Sequence, residues 1–169
     1  NDEQLNAAFE KFKDLADKKK SVSDDDIRAL LEEKLANTPE VFVLENLQVA
    51  YGNQSVPTAS VRIKSADGGV REETAEGNGS VDAIYNAIDK ATGEEVHLED
   101  YSIKSVSQGK DALGEVHVVL NQDDVSVTGR GISTDILEAS AKAYIDAINR
   151  LIDRRKSGKS SKRGNMTLI

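Results

Sequence analysis

An internal duplication constrains this chain most: the same order of short strands and one helix is written twice, head to tail. After Pro39, apolar residues alternate with polar ones as strands with one buried face require, first at Leu47, Val49 and Tyr51, then at Val61 and Ile63. A turn signal at Asp67, Gly68 and Gly69 leads into a more polar third strand, VREETAE. The segment GNGSVDAIYNAIDKATG, from Gly77 to Gly93, then places Val81, Ile84, Tyr85 and Ile88 on one helical face and stops at its last glycine. The second copy runs through Tyr101 and Ile103, then Val116, Val118 and Leu120, then Val125 and Val127. It ends in a helix carrying Leu137, Ala141, Tyr144, Ile148 and Leu151 on its stripe. The copies also agree in letters. LENLQV (Leu44 to Val49) stands against LEDYSI (Leu98 to Ile103), and each third strand leads through G-x-G to a helix with an early aspartate.

The fold class this predicts is α+β, built from two pseudo-symmetric β-β-β-α units, each a three-stranded antiparallel sheet with its helix. One helix covers one sheet face, so the units are expected to pair and the assembly to dimerise over what remains. Two helices precede the duplication. Leu5, Ala8, Phe9, Phe12, Leu15 and Ala16 form an amphipathic stripe, followed by Lys18, Lys19 and Lys20 where cations complement the macrodipole. Ser23 ahead of Asp24, Asp25 and Asp26 is a capping signal for a second helix that runs to about Ala36 and is ended by Asn37 to Pro39. The organisation expected is a helical linker subdomain over 1–38, the duplicated domain over 39–152, and a basic, disordered tail over 153–169.

Composition removes several classes of function. A net charge of -8 disfavours polyphosphate, because nucleic-acid affinity comes largely from cations that displace counterions. With only 4 % aromatic residues and no tryptophan, the chain lacks a stacking platform for bases. Cysteine is absent, which excludes disulfides, thiolate zinc sites and cysteine nucleophiles and is compatible with a cytoplasmic setting. No apolar run approaches the roughly 20 residues that span a bilayer, so no membrane partner is expected.

The residues that could carry function lie where strands meet helices. Gly77, Asn78 and Gly79, and Gly129, Arg130 and Gly131, let backbone approach a ligand, and a helix N-terminus offers unpaired N–H groups to a carboxylate. Their spacing is neither a dinucleotide fingerprint nor a P-loop. Asp82 and Asp135 fall in first helical turns, where capping or contact with a ligand ammonium is expected rather than acid–base catalysis. His97 and His117 have no nucleophile in a suitable context and read as surface or packing residues. The Asp24 to Asp26 run does not read as a metal site, since consecutive helical residues diverge by about 100°.

GNGSVDAIYNAI, DYSIKSVSQGKDALGEVHV and GRGISTDILEASAKAYIDAINRL resemble the C-terminal regulatory domain of α-isopropylmalate synthases, and FEKFKDLADKKKSVSDDDIRALL is similar to the linking subdomain that precedes it. The resemblance covers about Phe9 to Ile152 and implies two β-β-β-α units that form a homodimer and bind leucine between them for feedback inhibition. It implies that the chemistry, and the divalent metal it needs, belong to a catalytic barrel absent from this chain, so the chain itself carries no cofactor and is silent as an enzyme. Matched position by position, the effector site comprises Gly77, Asn78, Gly79, Val81 and Asp82, then Leu98, Tyr101 and Ser105, then Ala112, Gly114 and Ile132, with Gly131 and Asp135 added from the second helix start. The proline common after the first G-x-G is Ser80 here. The regulatory domain of citramalate synthase, which answers to isoleucine, shares the architecture, and a dimerisation module without ligand is a further alternative.

Overall fold

A computed structural model describes residues 2–18, 23–35, 38–109 and 111–166. Helices α1 (Asp2–Lys18) and α2 (Asp24–Leu35) pack on each other. The expected cap of α2 is present as a reciprocal box: the Asp26 amide donates to Ser23 Oγ at 3.2 Å and the Ser23 amide to Asp26 Oδ2 at 3.0 Å. Lys19, Lys20, Ala36 and Asn37, expected at the ends of these helices, lie outside the described residues.

The duplication is realised as β1 (Phe42–Gly52), β2 (Ser55–Ser65), β3 (Val70–Glu76) and α3 (Ser80–Thr92), followed by β4 (His97–Ser105), β5 (Gly114–Gln122), β6 (Val125–Ser133) and α4 (Ile136–Met166). Each trio is an antiparallel sheet in sequence order. The repeat extends to an irregularity: β1 shifts register between Leu44 and Asn46, and β4 between Leu98 and Asp100, at the matching glutamates Glu45 and Glu99. A bulge of this kind flips the face of everything beyond it. The helix-facing set of β1 is therefore Leu44, Leu47 and Val49, opposite Ile63, Val61 and Ala59. A second shift between Ala50 and Gly52 turns Tyr51 outward, so it is 72 % exposed and not on the buried face that simple alternation predicts.

Helix α3 covers β2 and β3, and α4 covers β5 and β6. Gly93 ends α3 in the left-handed region at φ 71, its N–H bonded to Asp89 O at 2.9 Å. The units join through these two helices and not through the free sheet faces. The free face of the first sheet carries polar cross-strand pairs, Ser60 with Thr74 and Arg62 with Glu72, which are compatible with water. Asn149 of α4 completes the junction: its amide group exchanges two hydrogen bonds with the backbone of Phe42, at 2.9 and 3.0 Å, so the second unit's helix terminates the first unit's edge strand.

Between Ala139 and Ile152, α4 is buried on nearly every side, because it meets its own sheet, α3 and β1 together. Its polar stripe is restricted to Glu138, Lys142, Asp146 and Arg150, spaced by four residues and ion-paired as 138–142 and 146–150. The apolar pattern stops at Ile152, but the backbone remains helical to Met166, past the point where the tail was expected to become irregular. Arg155 holds the extension to the body through Glu94 at 3.1 Å and Gln122 at 3.2 Å, and arginine and lysine sustain a helix on their own propensity.

Candidate functional site

Contacts between α3 and α4 fix their relative direction. Tyr85 Oη donates to Ser140 O at 3.0 Å, Tyr144 Oη donates to Asp89 Oδ1 at 2.7 Å, and Arg155 reaches Glu94 just beyond Gly93. The partners advance together along both helices, so the helices run parallel and both begin at the same end of the molecule. Because α4 packs back along β6, and β4 runs in the sense of β6, that end also holds the last residue of β4 and the first of β5. Gly77 to Asp82, Ser105, Ala112, Gly114 and Asp135 thus lie toward the same end of the molecule.

Two positive helix ends side by side favour negative charge between them. The two starts are filled differently. Asp135 caps α4: its Oδ1 accepts the Leu137 N–H at 2.9 Å, its carbonyl accepts the Ala139 N–H at 2.9 Å, and its own amide donates to Ser133 Oγ at 3.1 Å. Helix α3 has Gly79 as N-cap, extended at φ -150, with no side chain to offer. The first intrahelical bond joins the Ala83 N–H to Gly79 O, which leaves the amides of Ser80, Val81 and Asp82 without an intrahelical partner. Asp82 accepts the Asn78 N–H at 2.8 Å, closing the loop from the outside. A Cβ at Gly79 would meet nothing within 4 Å, whereas one at Gly77 would lie 2.3 Å from Ala83 N. Gly77 is needed for the tight turn, and Gly79 leaves the amide end open.

Strand β4 runs toward the same end. Leu98, Tyr101, Ile103 and Ser105 stand opposite Leu120, Val118, Val116 and Gly114, which places all four on the helix-facing side of their sheet. Among the described residues no helix lies over β4, so Ile103 is 55 % exposed while its neighbour Val116 is fully buried. Ile103 was not among the expected site residues, although its spacing of two from Tyr101 and Ser105 marks it. Tyr101 leans across to Ser140 Oγ at 2.7 Å. Tyr85 stacks on Tyr144 with centroids 4.0 Å apart. Burial raises both phenol pKa values, and burial also pushes Asp89 up to about 6 against the lowering bond from Tyr144. Tyr85 and Ser140 are both buried in the junction of α3 and α4.

Other expected residues are placed elsewhere. Gly129 and Gly131 lie inside β6, not in a turn, and a Cβ on either would stand 2.1 Å from a backbone oxygen of α4. They are glycines so that helix and strand can touch, and the Cα of Gly131 faces α4 backbone. Ile132 points to the opposite face of the sheet, packed with Ala29 and Leu113. Leu98 shares the row with Ser105 but, at about 3.3 Å per residue, stands roughly 20 Å from it. Gly114 gives room to Ile136, whose Cδ1 a Cβ would meet at 2.4 Å. Ala112 is half-buried in the β4–β5 loop, its amide 3.3 Å from Gly109 O. His117 sits 3.5 Å from Glu115, itself paired with Arg130 on the outer sheet face. A separate hollow of about 590 Å³ lies between α1, the start of β1 and α4, away from the helix starts. Among the described residues no three His, Asp or Glu side chains are grouped as metal ligands, and no helix is long and apolar enough to cross a membrane.

Two β-β-β-α units fused through parallel helices, with one open helix start and one uncovered strand row, define a duplicated α+β domain. Residues 21–152 match the family described as the LeuA allosteric (dimerisation) domain. The chain belongs to that family. It is 64 % identical over 153 residues to a 2-isopropylmalate synthase of Brevibacillus brevis, covering 90 % of this chain and 30 % of that protein. It is 51 % identical to the 2-isopropylmalate synthase of Pelotomaculum thermopropionicum and 50 % to that of Ruminiclostridium cellulolyticum, covering 89 % of this chain in each case and 30 % and 29 % of those proteins. The chain therefore spans less than a third of the length of these relatives.

Proposed function

We propose that this chain is the regulatory and dimerisation part of a 2-isopropylmalate synthase and that it binds leucine as a feedback effector. The observation that carries the reading is the parallel pairing of α3 and α4, which sets the open amides of Ser80, Val81 and Asp82 beside the aspartate-capped start of α4. A leucine carboxylate is stabilised by those amides and the dipole behind them. The ammonium is served by lone pairs that Asp82 and Asp135 retain after accepting one backbone bond each, since a carboxylate has about four acceptor sites. The aliphatic side chain lies over Val81, Tyr101, Ile103 and Ala112.

The uncovered apolar row of β4 supports dimerisation, with a second copy covering Leu98 and Ile103. Inhibition then follows from linkage: leucine slows a distant catalytic barrel only by binding one arrangement of the dimer more tightly than the active one. The condensation of acetyl-CoA with 2-oxoisovalerate, and its divalent metal, are assigned to that barrel. This part binds, holds two subunits together and transmits.

Titration calorimetry of the chain with leucine, isoleucine and valine tests the reading. Saturable leucine binding, weakened at least tenfold by Gly79→Asp, which puts a carboxylate where the ligand's own would sit, is the expected result. Equal affinity of parent and variant for leucine would refute the site, and preference for isoleucine would move the domain to the citramalate synthase type.

A further inference from the structure

Resting on that reading of the effector site, we propose that Ser140 is its positioning residue, with Tyr85 and Tyr101 as the two arms through which it acts. Ser140 is wholly buried in the first turns of α4. Its Oγ is 2.7 Å from Ile136 O and 2.7 Å from Tyr101 Oη, and its carbonyl accepts Tyr85 Oη at 3.0 Å. A serine hydroxyl has one proton, and a backbone carbonyl can only accept. The proton therefore goes to Ile136 O, and the Tyr101 hydroxyl must be the donor to Ser140 Oγ. The bonds accordingly have one direction, from β4 into the first turn of α4, while Tyr85 brings α3 to the same residue.

The three elements that border the effector end meet at this one side chain and its peptide group. Helix α3 supplies the open amides, α4 the capped start, and β4 the apolar wall. The distance between the open amides and that wall is set by the two tyrosine arms, because among the described residues no helix covers β4 and, of its inward residues, Tyr101 is the one that reaches the helix layer by hydrogen bond. Stacking of Tyr85 on Tyr144 prevents the α3 arm from swinging away. A ligand that must satisfy the amides with its carboxylate and the wall with its side chain needs that spacing preset, since a displacement of an ångström is costly to a site that holds a ligand at both ends. Ser140, which does not touch the ligand, is thereby coupled to ligand affinity.

The test measures leucine affinity by calorimetry on the dimeric chain for the parent, Ser140→Ala, Tyr101→Phe, the double variant, and Tyr85→Phe, together with melting temperature and oligomeric state. Ser140→Ala and Tyr101→Phe are each expected to weaken leucine at least tenfold, the double variant no further than the worse single one, and the dimer to persist. Non-additivity shows that the two side chains act as one unit, and lost affinity in a dimer that melts like the parent is what a generic packing role does not produce. If Ser140→Ala does not fold, Tyr85→Phe, which removes one oxygen from the other arm, is expected to weaken leucine severalfold on its own. A parent that binds leucine alongside variants that bind it equally well would overturn the positioning role and leave the effector site standing. A parent that does not bind leucine would overturn the effector reading and this inference with it.

Discussion

Replacing Gly131 with alanine separates a packing role from a ligand-binding one. The new Cβ would stand 2.1 Å from Ala139 O and 2.5 Å from Ala143 N, about an ångström inside ordinary contact, and both neighbours are helix backbone that cannot rotate aside. Helix α4 must therefore lift from β6, and overpacking of this kind costs about 1–3 kcal/mol, with the rigid neighbours placing this site at the upper end. Reduced freedom of the unfolded chain returns about 0.4–1 kcal/mol. The net loss is about 2 kcal/mol, which for a chain of this length lowers the melting temperature by roughly 4–8 °C. Gly79→Ala is the control: nothing lies within 4 Å of its Cβ and φ is extended, so its loss is expected to stay within about 1 kcal/mol, the scale of an N-cap change. Thermal unfolding followed by circular dichroism measures both. If the two variants melt at the same temperature, the assignment of Gly131 to helix–strand contact is refuted.

Further outcomes follow from the same contacts. Burial raises the Asp89 pKa to about 6, so the folded chain binds this proton more tightly than the unfolded chain does, and stability falls as pH rises from about 4 through 6. Asp89→Asn keeps an acceptor for Tyr144 without the buried charge; its melting temperature should exceed the parent's at pH 7.5 and converge with it near pH 4, and an advantage independent of pH would contradict the linkage. Asp135→Ala removes the cap of α4 and is expected to cost about 1 kcal/mol, while Asp135→Asn stays close to the parent in urea unfolding.

Much of the architecture was legible from local pattern. Alternation between Val61 and Ile63 or Val116 and Leu120, the stripe through Ile84 and Ile88, the glycine at 93 and the serine at 23 each report a periodicity or cap that operates within a few residues. The face of Tyr51 was not legible, because the bulges that shift β1 add one residue to a strand without altering its composition. The course of α4 to Met166 was also missed, since the apolar stripe ends at Ile152 while Arg155 finds its partners about 30 and 60 residues away in sequence, at Gln122 and Glu94.

Sequence by itself determined that this chain is two copies of one unit, which residues build each sheet and helix, and which family it joins, because these follow from short-range periodicity and from the order of motifs. Only the tertiary structure set the two G-x-G segments apart. One lies in an open turn at the start of α3, and the other lies inside β6 beneath α4, pressed against helix backbone. The physical reason is that a glycine reports only that a side chain is missing. Whether that space belongs to a ligand or to a neighbouring helix depends on where the parallel packing of α3 and α4 puts every other atom.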